Sequence, residues 1–214
     1  MKDRTIPDPD GGLSRRRFLQ GAGGVAAGTA LVGVPVVALA QDQPKEQATR
    51  DGLKRYSAGG QPIQLMVNGQ ARQASVTPAT TLLEALREQM DLTGAKEVCD
   101  RGACGACTVL IDGKSVNSCL MLAIDAVGKR VITVEGLGKD QQLDPVQKAF
   151  VERDACQCGY CIPGFVVRSR ALLDETTNPT KDQIKDGLCG NVCRCAAYVR
   201  IFEAVELAGK GARS

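Results

Sequence analysis

Residues 99–107 read CDRGACGAC, and this stretch decides the fold of the chain around it. Its three cysteines have the spacing C-x4-C-x2-C, and a fourth, Cys119, follows after eleven intervening residues. This is the plant-type spacing of a [2Fe–2S] centre, in which four thiolates complete two tetrahedral irons. Gly102 and Gly105 allow the tight backbone turns that direct N–H groups toward sulfur. We therefore predict one [2Fe–2S] cluster on Cys99, Cys104, Cys107 and Cys119.

The same four cysteines could instead hold zinc or pair as disulfides. Structural zinc sites usually show two C-x2-C pairs, whereas this segment has one, Cys104 with Cys107. Soft thiolates also suit iron–sulfur clusters. The spacing therefore favours the cluster over a structural zinc or disulfide protein without a redox role.

A second group of cysteines follows in the C-terminal half. Cys158 and Cys161 form a C-x2-C pair, and Cys193 and Cys195 form a C-x-C pair. Both pairs precede predicted helix starts, where the helix N-terminus stabilises thiolates and a negative cluster. A C-x2-C pair alone is shared with thioredoxin-like sites and zinc ribbons. Joined to the C-x-C pair and a complete plant-type motif, it predicts a second [2Fe–2S] cluster on these four residues.

Two of the ten cysteines are left over, Cys156 and Cys189. They could be alternative ligands or form a disulfide. We interpret them instead as small buried residues near the second cluster, because free cysteine behaves as a small hydrophobic side chain.

Composition excludes several classes of site. The chain has no histidine, which rules out Rieske centres, Cys2His2 zinc sites and His-dependent catalytic triads. The formal charge of +3 falls to +1 without residues 1–40, which contain five basic and three acidic residues. Bound clusters would make the remainder negative, so the charge does not favour a nucleic-acid partner. No phosphate-binding loop or nucleophile–base pair is evident, so we expect no substrate chemistry in this chain.

The N-terminal segment is predicted to be an export signal. Residues 14–19 read SRRRFL, a twin-arginine motif, and a Gly/Ala-rich apolar stretch follows to the A-x-A site Ala38–Ala40. A transmembrane anchor is the alternative, but the stretch has low hydrophobicity and barely the minimum span. We predict cleavage after Ala40, a periplasmic mature protein without a stable membrane span, and export after folding around its cofactors.

The remaining patterns predict an α+β chain. Residues 41–60 are polar and are interpreted as a linker. In residues 61–137, alternating strands at Ile63–Val67 and Ala71–Val76, a capped helix from Thr81, and strands at Thr108–Ile111 and Val131–Val134 predict a β-grasp ferredoxin domain. In residues 138–214, helix signals begin at Asp144, Pro163 and Thr180, and a further apolar helix face includes Tyr198; together they predict an all-α four-helix domain.

Three segments resemble the iron–sulfur subunits of the molybdenum hydroxylases, the xanthine dehydrogenase and aldehyde oxidoreductase family. They are CGACTV (104–109), QCGYCIPG (157–164) and GNVCRC (190–195). The resemblance runs from about Ile63 to Leu207 and, with the export signal, is greatest to the periplasmic aldehyde oxidoreductase type. It implies a ferredoxin domain followed by a four-helix domain and two [2Fe–2S] clusters. It also implies two kinds of partner, a large molybdenum–pterin subunit with, usually, an FAD subunit.

The resemblance further implies a direction of electron flow. The helical-domain cluster would lie nearer molybdenum, with Gln157 and Cys195 facing the pterin, and electrons would pass singly through both clusters to flavin or another acceptor during oxidation of aldehydes or N-heterocycles. A free-standing periplasmic ferredoxin-like shuttle is the alternative function. The chain departs from the family pattern at Val98, Ile162, Cys189 and Ala196–Ala197, none of which is a predicted ligand.

Overall fold

The computed structural model describes residues 56–139 and 142–211. The predicted signal and most of the predicted linker therefore lie outside the described residues. The first half contains five strands: β1 (Gln61–Val67), β2 (Gln70–Val76), β3 (Thr108–Ile111), β4 (Lys114–Asn117) and β5 (Arg130–Ile132). They form one mixed sheet in the order β2-β1-β5-β3-β4.

At strand β1 the pairing in this sheet changes from antiparallel to parallel. It pairs antiparallel with β2 and parallel with β5, while β3 pairs antiparallel with both β4 and β5. The β1–β2 turn has Asn68 at φ 52° and Gly69 at φ 77°, as an Asn-Gly hairpin turn requires. The Asp112–Gly113 turn has the same left-handed pair, and it connects β3 to β4.

One short helix, which we label α1, covers the sheet. It begins as an α-turn at Leu82–Glu84 and continues as a π-helix over Ala85–Gln89. The predicted capping box at its start is present, because the Thr81 hydroxyl accepts from the Glu84 N–H and the Glu84 carboxylate accepts from the Thr81 N–H. Its apolar face is fully buried, together with alternate residues of β1 and β2. This packing completes the core of the first half.

The second half is helical. Its helices are α2 (Pro145–Glu152), α3 (Ile162–Glu175), α4 (Lys181–Leu188) and α5 (Tyr198–Gly211). Asp144 and Thr180 cap α2 and α4, each in a capping box with the glutamine three residues later. The four helices enclose a core around Phe165, Ile184 and Ile201, all of which have no solvent exposure.

One strand was predicted to end two residues later than it does in the structure. The pattern predicted a strand at Val131–Val134, but β5 ends at Ile132 and Val134–Gly136 forms a 3-10 turn. The Asn68 side chain explains this end, because it both accepts from the Thr133 N–H (2.9 Å) and donates to the Thr133 hydroxyl (3.0 Å). The Asn68 side chain thus bonds to Thr133 in place of a neighbouring strand.

Helix α3 joins the two halves. Val167 and Ala171 of α3 pack on Leu110 of β3 in a small buried cluster. Arg168 donates from Nε to the Gly187 carbonyl (2.6 Å) and from Nη1 to the Ser115 hydroxyl of β4. Within residues 56–139 and 142–211, no helix has both the length and the apolar character needed to cross a membrane.

Candidate iron–sulfur sites

The first cysteine loop turns back on itself through left-handed residues. Asp100 (φ 48°), Gly102 (φ 71°) and Gly105 (φ 69°) bend the segment that carries Cys99, Cys104 and Cys107. A Cβ at Gly102 would meet only the tip of the exposed Leu120 side chain, so the positive φ is what favours glycine there. The sequence-based interpretation of both glycines is therefore confirmed by the backbone.

Cys119 is brought to this loop by the 3-10 turn Ser118–Leu120, directly after β4. The Gly102 N–H donates to Cys119 Sγ, with 3.3 Å between nitrogen and sulfur. The buried Ser118 hydroxyl donates to the Cys107 carbonyl (2.8 Å), and the Asn117 amide donates to the Gly102 carbonyl (3.1 Å). These bonds attach the start of the turn to the loop at Gly102 and at Cys107.

The four thiols of this loop lie as two pairs. A hydrogen bond from the Arg101 N–H lowers the pKa of Cys99 to about 7. Burial raises this pKa, and the Cys104 thiol lowers it further. Burial raises the pKa of Cys119 to about 11, and the Cys107 thiol raises it further. Cys99 thus neighbours Cys104, and Cys107 neighbours Cys119. A lowered thiol pKa favours the thiolate that metals bind.

The second group is paired in the same way across two segments of chain. The Tyr160 N–H lowers the pKa of Cys158, and the thiol of Cys195 lowers it further. Burial raises the pKa of Cys161 to about 12, and the Cys193 thiol contributes to this rise. The C-x2-C and C-x-C segments therefore meet with Cys158 beside Cys195 and Cys161 beside Cys193.

Helix starts lie beside this second group, as predicted. Cys161 is the N-cap residue of α3, and the Ala197 N–H just before α5 donates to Cys193 Sγ at 3.4 Å. The Tyr198 hydroxyl accepts from the Cys193 N–H (2.9 Å). Backbone N–H groups thus lie where a negative cluster would be stabilised.

The two thiol pairs at each site suit a binuclear cluster. Among the described residues, no three Cys, Asp or Glu side chains gather around one point as a mononuclear metal requires. All ten cysteines are free thiols. Each iron of a [2Fe–2S] centre takes two thiolates and two bridging sulfides, so two thiol pairs per site are the arrangement such a cluster needs.

The two cysteine groups approach each other through backbone. The Val192 N–H, one residue before Cys193, donates to the Cys104 carbonyl at 3.0 Å. The Asn191 side chain donates from Nδ2 to the Gly105 carbonyl at 2.9 Å. Gly164 of α3 lies so close that a Cβ there would be 2.3 Å from the Gly105 oxygen. Asn191 and Gly164 were not singled out in the sequence, because their partners are far away along the chain.

The remaining predicted residues lie at the surface. Gln157 is exposed, next to exposed Cys158 and half-buried Cys195. Cys156 and Cys189 are also exposed, so the interpretation of these two as buried residues was wrong. Cys156 lies in the loop after α2, and Cys189 is the C-cap residue of α4.

Comparison with known proteins matches both halves. A 2Fe-2S iron-sulfur cluster binding domain matches residues 65–131, and a [2Fe-2S] binding domain matches residues 133–206. The aldehyde oxidoreductase iron-sulfur-binding subunit of Escherichia coli K12 is 42% identical over 160 residues, covering 68% of this chain and 70% of the relative. A nicotinate dehydrogenase subunit from Pseudomonas putida is 44% identical over 151 residues, covering 71% of this chain and 96% of the relative.

Solved structures agree with this result. A chain of quinoline 2-oxidoreductase from Pseudomonas putida is 39% identical with a TM-score of 0.69, covering 73% of this chain and 98% of that chain. The aldehyde oxidoreductase of Desulfovibrio desulfuricans is 40% identical with a TM-score of 0.67, covering 72% of this chain and 17% of that longer one. The α+β prediction and the family resemblance are confirmed: the chain belongs to the family of iron–sulfur subunits of the molybdenum hydroxylases.

Proposed function

We propose that this chain is the electron-transfer subunit of a periplasmic molybdenum hydroxylase that oxidises aldehydes or N-heterocycles. Bound [2Fe–2S] clusters would supply one-electron redox chemistry, taking electrons from a molybdenum–pterin partner subunit for delivery to an FAD subunit or another acceptor. The observation that carries the proposal is the backbone hydrogen bond from Val192 to Cys104. It joins the two cysteine groups directly, which suits transfer between them.

The proposed ligand set follows the thiol pairs. Cys99 with Cys104 and Cys107 with Cys119 would hold a ferredoxin-like cluster in residues 61–137. Cys158 with Cys195 and Cys161 with Cys193 would hold a helical-domain cluster in residues 138–214, a compact four-helix domain. Neighbouring N–H groups of Gly102 and Ala197 donate to sulfur and stabilise the thiolates.

The proposed order of transfer starts at the helical-domain cluster. Gln157 is exposed and Cys195 half-buried, so this end of the helical half is accessible to a pterin-bearing partner. The ferredoxin-like cluster would then pass electrons on. In this order Gln157 and Cys195 contact the pterin.

The proposed location is the periplasm, with a signal of residues 1–40 cleaved after Ala40 and a linker over residues 41–60. The twin-arginine motif at 14–19 supports this assignment, since that route exports folded proteins. The relatives named as subunits support a multi-subunit complex.

Purification from the native host tests the proposal. The full chain, tagged at its C-terminus, is isolated from the periplasm and the eluate is assayed for molybdenum and for co-eluting chains. We expect a larger molybdenum-containing chain to elute with it in a fixed ratio. Elution of a fully iron-loaded chain alone would contradict membership of a complex and support a free-standing electron shuttle.

A further inference from the structure

Asn191 lies on the loop of one predicted cluster but bonds to the loop of the other. It is two residues before Cys193 in the sequence, and its side chain is buried, with 6% exposure. Its amide donates to the Gly105 carbonyl, inside the segment that carries Cys99, Cys104 and Cys107. The side chain therefore acts across the contact between the two halves.

The Gly105 carbonyl oxygen accepts three hydrogen bonds. Besides Asn191 Nδ2 at 2.9 Å, it accepts from the Thr108 hydroxyl at 2.6 Å and from the Thr108 N–H at 3.2 Å. Three donors on one oxygen draw electron density toward that end of the peptide, and hydrogen-bonded peptide groups polarise one another in a buried setting. The N–H at the other end of this peptide belongs to Ala106.

The Ala106 N–H is directed at a predicted ligand. It lies close enough to the Cys104 thiol to lower the pKa of that thiol, against the rise that burial causes. A chain of contacts therefore runs from the Asn191 amide to the Gly105 carbonyl, through one peptide unit, to Cys104 Sγ. Donors to cluster sulfur favour the more negative, reduced cluster and so raise its reduction potential.

We propose that Asn191 is a positioning residue that raises the reduction potential of the ferredoxin-like cluster, acting through the Gly105–Ala106 peptide. The proposal rests on the ligand set given above. Its unusual consequence is that a residue within the GNVCRC segment of the helical-domain cluster tunes the other cluster. Such tuning would favour electron arrival at the ferredoxin-like cluster.

The test is a redox titration followed by EPR of the assembled wild-type and variant complexes. Asn191→Leu removes the donor while keeping a similar volume. Thr108→Val removes a donor from the same carbonyl without touching the contact between the halves. Gly190→Ala is the matched control, because a Cβ there meets nothing within 4 Å.

Both donor variants should lower the potential of the ferredoxin-like cluster and leave the helical-domain cluster unchanged. We expect the equilibrium constant for reduction to fall by about two- to tenfold, where tenfold is about 59 mV for a one-electron couple. Gly190→Ala should shift neither potential. If Asn191→Leu does not load with iron, Asn191→Ala, which also removes the amide donor, is titrated in its place.

An unchanged ferredoxin-like potential, or a shift confined to the helical-domain cluster, would overturn the proposal. A shift in Asn191→Leu without one in Thr108→Val would also overturn it, because displacement of the halves would then be the cause. These results leave the proposed function standing if wild-type protein contains both clusters. Wild-type protein without two clusters would refute both.

Discussion

At the scale of residues, the cysteines divide by what surrounds their sulfur atoms. Eight lie in four neighbouring pairs, and N–H groups of Arg101, Gly102, Tyr160 and Ala197 are among the donors to them. Cys156 and Cys189 lie outside these pairs and are exposed. Pairing therefore separates proposed ligands from the two remaining thiols, although all ten are the same residue type.

Single serine substitutions test this division. Cys119→Ser should remove the EPR signal of the ferredoxin-like cluster while that of the helical-domain cluster persists, and Cys161→Ser should have the reverse effect. The reason is that each cluster needs all four of its thiolates to complete two irons. Iron analysis and EPR of the dithionite-reduced complexes measure the outcome.

Cys156→Ser and Cys189→Ser are the matched controls for these ligand variants. Each should retain the iron content and both signals of the wild type. A cluster lost from either control would show that an exposed cysteine is a ligand and would revise the ligand set.

At the scale of elements, helix α3 holds the two cysteine groups together. Its first turn contains Gly164, which contacts the first cysteine loop where any side chain would meet the Gly105 oxygen and the Ala106 backbone. Farther along, Val167 and Ala171 pack on β3. One helix therefore begins at Cys161, a proposed ligand of the second group, and docks on the loop of the first.

Gly164→Ala should weaken this docking. The added methyl would lie 2.3 Å from the Gly105 oxygen, so the helix must shift, at a cost of about 1–3 kcal/mol in the free energy of unfolding. Thermal unfolding followed by loss of visible cluster absorbance measures the effect. Gly190→Ala serves as control and should unfold close to the wild-type temperature; equal stability of the two variants would contradict the close approach.

Elements with strong local signals were predictable from the sequence. The Asn68–Gly69 turn specifies the first hairpin, and capping boxes at Thr81 and Thr180 specify two helix starts. Strand β4 was not predicted, because KSVN has little apolar alternation and is held by pairing with β3. The π-helical continuation of α1 was also missed, since its apolar spacing resembles that of an ordinary helix.

The candidate sites could also be predicted only in part from the sequence. Spacing predicted the four cysteines of the first group, and the C-x2-C and C-x-C pairs, taken together with that motif, predicted the other four. The supporting residues Ser118 and Asn191 were not identified. Ser118 bonds to a residue eleven positions away and Asn191 to one 86 positions away, and no local pattern reports such distant contacts.

At the scale of the whole molecule, the two halves depend on each other. Backbone bonds, the Arg168 side chain and the apolar contact of α3 with β3 join them. Each half alone is small for a stable core, so metal binding and the contact between halves should both contribute to folding. The proposed twin-arginine route would suit such a chain, because that route exports proteins already folded.

Replacing the twin arginines tests the export route. Arg15→Lys/Arg16→Lys preserves charge but should leave the chain in the cytoplasm with its clusters intact, because the export machinery reads the arginine pair. Fractionation with immunoblotting and EPR measures location and cluster content. Delivery of this variant to the periplasm would contradict the assignment, whereas a mature N-terminus far from Gln41 would revise only the cleavage site.

The order of electron transfer belongs to the complete complex. With a substrate found by screening aldehydes and N-heterocycles, Cys119→Ser should still allow reduction of the helical-domain cluster, but electrons should not reach the terminal acceptor. Cys195→Ser should prevent reduction of the ferredoxin-like cluster by substrate. Rapid-freeze EPR after substrate addition records both; the opposite pattern would invert the order.

The most direct test of the central claim is the cluster content of the purified mature protein. Iron, zinc and acid-labile sulfide are measured per chain, and the dithionite-reduced sample is examined by EPR. The two sets of paired thiols predict about four irons, about four sulfides and two distinguishable [2Fe–2S] signals. About two irons per chain, zinc in place of iron, or a single EPR signal would contradict the account.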